Sequence, residues 1–283
     1  MPYAGFYINL DDSADRRAEI EVEIARFGLQ QRYRRFAAIK GNALGFPNPK
    51  LLDAEIGCFT SHCLLLQANI GADTHLHVVE DDVVFSRFTD YALRWAIEKG
   101  TIDQLDVLFT DTFITPLNNE YRFCKELYDR SFERDGTGSI RRVRPHVIKH
   151  IAGTSSYLVN RGSIGKLVDV LMRILKAGAR TPLDITLRGL ADKGVLRTGA
   201  LFPFVTSVRL PRLLDTTLAG RTHHHDLTSI AAWLGRNSFF VDCDMQALVA
   251  DAERLLPIPD NDLHRRLLAR ILSFSLTDKY RPY

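Results

Sequence analysis

The sequence predicts an α/β protein with a mostly parallel sheet flanked by helices, in the Rossmann-like manner, followed by a helical C-terminal appendage. Three observations lead there. Over the first 110 residues, short apolar or β-branched runs alternate with stretches of helical periodicity. Several of these runs stop abruptly on polar or acidic residues, as strands do at the ligand-binding edge of an open α/β sheet. From Pro211 onward the strand-like runs cease and apolar positions recur at helical spacing. The chain has 283 residues, enough to bury a sizeable core. It is 46% hydrophobic and 25% charged, ordinary for a soluble globular protein. A net charge of +3 lacks the clustered excess expected of a nucleic-acid binder.

In order, Gly5 to Leu10 reads as a strand ending at Asp11-Asp12-Ser13. Ser13 or Asp12 can cap a helix over about Ala14 to Phe27, with Ile20, Ile24 and Phe27 on its inner face and Gly28 placed to end it. Arg32 to Ile39 reads as a second strand, before a loop rich in glycine, asparagine and proline from Gly41 to Pro49. A helix follows from Asp53 to Asn69, its inner face Ile56, Phe59, Cys63 and Leu66. His75 to Phe85 (HLHVVEDDVVF) is a buried strand interrupted by three carboxylates. Phe88 to Lys99 then reads as a helix and Leu105 to Phe109 as a strand. Asn118 to Asp135 is polar and irregular. Asp135 to Gly138 is a turn signal, and the basic segment Ile140 to Ile151 is suited to hairpin pairing. Ser155 to Val159 reads as a strand and Ser163 to Ala177 as an amphipathic helix. Another helix begins at Thr181-Pro182-Leu183-Asp184, with Pro182 suited to its first turn, and Val195 to Val205 reads as a strand.

The expected division is 1–210 for the sheet domain and 211–283 for the appendage. The appendage has helices over Leu227 to Leu234, Met245 to Leu256 and Leu263 to Leu276. The last carries an apolar stripe beside Arg265, Arg266 and Arg270, which suits packing on the domain or peripheral contact with an anionic inner membrane surface. No apolar run approaches the roughly 20 residues of a membrane span. The N-terminus reads as a strand and not as an export signal. Cys58, Cys63, Cys124 and Cys243 form no CxxC pair. Together these features predict reduced thiols and a cytoplasmic location.

Glu80, Asp81 and Asp82 at the end of a buried strand repel one another, unless water or a cation relieves them. Hard divalent ions such as Mg²⁺ or Mn²⁺ take such oxygens. Asn9 and Asp11 occupy the corresponding end of the first strand, and Arg16 and Arg17 lie in the first helical turn beyond it. An arginine pair there can hold phosphate with help from free backbone N–H groups. Carboxylates and arginines on one sheet edge suggest a nucleotide diphosphate.

The ordered segments YINLDDSADRR (7–17), RRFAAIKG (34–41), EIGCFTSH (55–62), VVEDDVVF (78–85), GTSSYLVNR (153–161) and TPLDITL (181–187) resemble glycosyltransferase family 25. That family includes the lipopolysaccharide and collagen-type galactosyltransferases. The resemblance covers about residues 3–210. It implies a GT-A-like fold, a nucleotide-sugar donor (typically UDP-galactose) and inverting transfer assisted by Mn²⁺. It also implies a glycan or lipid-linked acceptor. Glu80 and Asp82 match the ends of the family's metal motif, with Asp81 between them. Asn9, Asp11 and Arg17 match the nucleotide-holding segment, and Ala37 and Ala38 the small residues beside the base. Leu108-Phe109-Thr110-Asp111 departs from the family's leucine-glycine strand end.

An inverting displacement needs a base on the acceptor hydroxyl, opposite the departing diphosphate. Asp184, early in its helix, is the first candidate and Asp111 the second. Within His223-His224-His225, one imidazole, taken as His224, can supply a late ligand to the metal at Asp82. His62 is expected to pack, cap or line the donor pocket. Two alternatives are a catalytically inactive binding module of the same fold and a metal-dependent nucleotidyltransferase.

Overall fold

The computed structural model describes residues 2–47, 50–114, 119–150, 152–208 and 227–255. In chain order the elements are β1 (Tyr3–Asn9), α1 (Ala14–Arg26), β2 (Tyr33–Ala37), α2 (Asp53–Ala68), β3 (His75–Glu80), β4 (Val83–Phe85), α3 (Thr89–Glu98) and β5 (Val107–Phe109). Then come α4 (Asn119–Arg130), β6 (Phe132–Arg134), β7 (Ile140–Val143), β8 (His146–Ile148), β9 (Ser156–Val159), α5 (Ile164–Lys176) and α6 (Leu183–Asp192). The described chain closes with β10 (Thr198–Phe202), β11 (Thr206–Val208), α7 (Leu227–Ser238) and α8 (Met245–Leu255).

Seven strands form one sheet in the order β2-β1-β3-β9-β5-β10-β8. β2, β1 and β3 are parallel, as are β5 and β10. β9 runs antiparallel between β3 and β5, and β8 runs antiparallel beside β10. The α/β class and mostly parallel sheet expected from the sequence are therefore present. Asn9, Ala37, Glu80 and Phe109 end their strands on one edge, and the antiparallel β9 begins on that same edge at Ser156.

Alternation along the strands sets the two faces. Leu76, Val78, Val107, Phe109 and Tyr157 point into one core with Ile56 and Phe59 of α2, Leu167 and Leu171 of α5, and Leu183 and Leu187 of α6. Val79, Leu108 and Leu158 point into the other, with Ile20 and Ile24 of α1 and Ala92, Leu93 and Ala96 of α3. Each fully buried valine, leucine, isoleucine or phenylalanine among them contributes about 1.5–3 kcal/mol. His77, inside β3, is fully buried, with Nδ1 2.5 Å from the Tyr33 hydroxyl and Nε2 3.1 Å from Ser156 Oγ. Both ring nitrogens are thereby engaged inside the fold, and the residue is structural.

Several local expectations are corrected. Asn118 to Asp135 is not irregular, for it contains α4. Cys124, Leu127 and Tyr128 stand at helical spacing and join Phe202, Phe204 and Phe239 in a third core. The hairpin forms between β6 and β7, while β8 leaves it for the main sheet. Val195 to Val205 is not one strand. β10 ends at Phe202, and β11 pairs with β4 in a separate small sheet. Ser13 occupies the N-cap position of α1 without a side-chain cap bond, and Asn9 Nδ2 donates to its carbonyl instead.

The boundary expected at residue 210 and the helix expected over Leu263 to Leu276 lie outside the described residues. Residues 227–255 pack on the sheet domain: the Phe204 N–H donates to the Phe239 carbonyl, and the Val241 N–H to the Phe204 carbonyl. Among the described residues no helix is long and apolar enough to cross a membrane.

Candidate active site

At the β1–β2 edge, buried Asn9 organises its neighbours. Its Nδ2 donates 2.8 Å to Asp81 Oδ2, and its Oδ1 accepts from Arg35 Nε at 3.0 Å. Arg35 also reaches the Asn9 carbonyl at 3.1 Å and Asp11 Oδ1 at 2.5 Å. Ala37 lies beside Asn9 in register, and the Ala38 N–H donates to the Asn9 carbonyl. Arg17 donates to the Asp11 carbonyl at 3.0 Å. Arg16 turns to the acidic cluster, 2.6 Å from Asp81 and 3.4 Å from Asp82. Gly57 in α2 lets the next loop approach. A Cβ there would sit 2.6 Å from the Ile39 carbonyl and 2.8 Å from Gly41 backbone atoms. Ser61, one turn on, accepts from the Ile39 N–H at 2.8 Å and donates to the Gly57 carbonyl at 2.6 Å.

The three carboxylates divide their protons unequally. Burial works against the Glu80 charge, but His62, Arg16 and Thr154 outweigh it and hold its pKa below the usual value. Burial pushes Asp82 well above that value, and Glu80 and Asp81 add to the shift against Arg16 and Arg236. Asp81 is also raised, mainly by burial, although Arg16 and Asn9 oppose it. Asp82 Oδ1 is buried with no hydrogen-bond partner. Crowded carboxylates with an orphaned buried oxygen fit a hard divalent cation, which Glu80 and Asp82 would hold with Asp81 in support.

The loop before β9 ties this cluster to the rest of the edge. Gly153, at φ +105°, offers its N–H to Asp184. Thr154 Oγ1 donates to Glu80 Oε1 at 3.3 Å. Ser155 Oγ donates to Asp111 Oδ1 at 3.4 Å, and its carbonyl accepts the Glu80 N–H at 2.7 Å. Asp111, fully buried, is held by Arg236 of α7, whose Nε lies 3.0 Å away and whose terminal nitrogen contacts both Asp111 and Ser155. Burial raises the Asp111 pKa and the guanidinium opposes it. Asp184 is raised by burial and by Glu80, against the Ile185 and Gly153 N–H groups. Cys58 reaches solvent on α2, and burial raises its thiol pKa, with the nearby Glu80, Asp184 and Asp82 carboxylates adding to the shift.

The structure thus gathers Asn9, Asp11, Arg16, Arg17, Ala37, Ala38, Glu80, Asp81, Asp82, Asp111 and Asp184 on one edge. His224 lies outside the described residues. Sequence reasoning passed over Arg35, Thr154, Ser155 and Arg236. The first three stand inside recognisable segments, RRFAAIKG and GTSSYLVNR, but Arg236 carried no local signal.

A mostly parallel sheet with carboxylates at its strand ends defines an α/β protein whose ligand site lies beyond those ends. The chain matches Glycosyltransferase family 25 (LPS biosynthesis protein) over residues 4–186; it belongs to that family and is a glycosyltransferase. The crystal structure of galactosyltransferase LgtC in complex with donor and acceptor sugar analogs aligns with 93% of this chain and 99% of its own, at 12% identity and a TM-score of 0.38. A search of curated proteins finds no match.

Proposed function

We propose that this glycosyltransferase moves a hexose, galactose from UDP-galactose, with inversion onto a glycan or lipid-linked acceptor of the lipopolysaccharide type. Mn²⁺ or Mg²⁺ at Glu80 and Asp82 would neutralise charge on the departing diphosphate. The observation that carries this reading is the unpartnered, buried Asp82 Oδ1 among like charges at the end of β3. Arg16, Arg17 and Arg35 supply further positive charge beside the cluster. Asn9 fixes the strand end, and Ala37 and Ala38 leave room for a flat base.

Asp184 serves as the base in this proposal. It stands in the first turn of α6, near enough to Glu80 for that charge to act on it, and its raised pKa suits proton uptake from a sugar hydroxyl. Asp111 is the weaker candidate because Arg236 and Ser155 occupy its oxygens. We assign 1–210 to donor binding and catalysis and 211–283 to the acceptor side, with the reaction at the cytoplasmic face of the inner membrane. Asp82→Asn, nearly isosteric, tests the metal assignment. Mn²⁺-dependent binding of UDP by calorimetry and transfer from UDP-galactose should both vanish. Their survival together would show that Asp82 holds no metal.

A further inference from the structure

Cys58 and His62 project from consecutive turns of α2 toward Glu80. One ligand atom from each of the three lies within 4.8 Å of the others. His62 is 1% exposed, with Nδ1 2.7 Å from the Tyr157 hydroxyl and its ring stacked on the tyrosine. Its Nε2 is buried, makes no hydrogen bond, and stands 3.5 Å from Glu80 Oε1. The Tyr157 contact allows two tautomers: with the proton on Nε2 the ring points N–H at Glu80, the arrangement that favours the Glu80 charge, and with the proton on Nδ1 a lone pair on Nε2 faces the carboxylate oxygen, the arrangement a bound cation would use.

We propose that Cys58, His62 and Glu80 form a three-ligand site for a thiophilic divalent cation of the Zn²⁺ type. Thiolate sulfur, imidazole nitrogen and carboxylate oxygen are the donors such an ion prefers over the oxygen-only sets of Mg²⁺. Tetrahedral coordination with bonds of about 2.1 Å sets nitrogen and oxygen about 3.4 Å apart, close to the 3.5 Å between His62 and Glu80. The sulfur, no more than 4.8 Å from the other two ligand atoms, needs to close by at most about 1.2 Å, within reach of a side-chain rotation. Because Cys58 is exposed, the ion can enter from solvent on the Cys58 side, and three protein ligands leave one position open. Tyr157 is the outer partner that orients the ring. Binding converts the thiol to thiolate and releases its proton to solvent. Glu80 is shared with the oxygen-ligand site, so an ion here would compete with Mn²⁺ there; that consequence alone rests on the function proposed above.

The test uses the full chain and Zn²⁺ alone, in competition with a chromogenic chelator and without any sugar nucleotide. The wild type should take up about one equivalent, and Cys58→Ser and His62→Gln should each weaken it by about 100-fold. Cys243→Ser, remote from the three ligands, should keep the affinity within about threefold, and Asp82→Asn, which removes a neighbouring charge but no ligand, should weaken it by less than either ligand variant. Co²⁺ alone should give the wild type a thiolate-to-cobalt charge-transfer band, which needs no variant to fold, and Cys58→Ser should lack it. Unchanged affinity in both ligand variants, absence of the band in the wild type, or loss of Zn²⁺ only in Asp82→Asn would overturn the proposal. Because no donor is used, failure of UDP-sugar transfer would leave these outcomes readable.

Discussion

The pair Asp111–Arg236 offers a quantitative test of how the C-terminal segment is held. Asp111 is 1% exposed and Arg236 2%. Arg236 donates to Asp111 and Ser155, and its guanidinium lies over the rings of Phe113 and Trp233, 5.2 and 5.4 Å from their centroids. Arg236→Met keeps an apolar stem against those rings but leaves Asp111 buried with only Ser155 at 3.4 Å. Breaking a buried pair by removing one partner costs about 3–5 kcal/mol. For a chain of this size that lowers Tm by about 6–20 °C. The sign with pH follows. Without the guanidinium the folded-state pKa of Asp111 rises further above its unfolded value. Stability is then fully present below the unfolded pKa and lost as pH rises through the folded one, so the deficit should shrink as pH falls from about 7 toward the unfolded value of about 3.9. Asp111→Asn in the Arg236→Met background removes the stranded charge and should recover most of the loss. With Asp111→Asn alone as the fourth protein, urea denaturation of the four forms the cycle. A single variant within about 1 kcal/mol of wild type, or a double variant no better than Arg236→Met, would refute the buried-pair argument.

Other outcomes follow from the same geometry. Gly57→Ala drives a Cβ into the Ile39 and Gly41 backbone; it should cost about 1–3 kcal/mol by thermal melt and weaken UDP binding by calorimetry. Asp184→Asn should lower kcat by about 10²–10⁴ with little change in donor KM, measured with saturating acceptor; an unaltered kcat would exclude it as the base. His150 is buried against Phe109, and burial lowers its pKa from 6.5 to about 4. It contributes stability above the unfolded value that is lost as pH falls toward the folded one. Wild type should therefore lose about 3 kcal/mol over that window, and His150→Gln markedly less, by urea titration at several pH values.

What could be seen in the sequence follows the range of the interactions. Strand alternation and helical spacing are local, and Val78 and Val79 duly face opposite cores. The carboxylates were visible because three like charges interrupt an apolar run. α4 was passed over because its many charged residues mask the Cys124, Leu127, Tyr128 face, although that spacing was present. Cys58 and His62 were one helical turn apart on paper. Their chemistry depends on Glu80, which only the fold of α2 against β3 supplies. The strand reads from Ser155 onward, yet the value of GTSS lies in the three residues ahead of β9, Gly153, Thr154 and Ser155, each of which serves a different carboxylate.

Asp111 shows why the base could not be chosen from sequence. An aspartate at a strand end looks equally suited to catalysis, capping or pairing. The residue that decides among these, Arg236, is 125 positions away. Once that pair forms, the free carboxylate facing the cleft is Asp184, which has no cationic partner among the described residues and only backbone N–H groups beside it. The same long-range pairing bears on Asp82, because Arg236 and Arg16 both act on it. The C-terminal segment therefore contributes to the charge balance of the β3 carboxylates as well as to the packing, and a variant at Arg236 should be judged on metal binding as much as on stability.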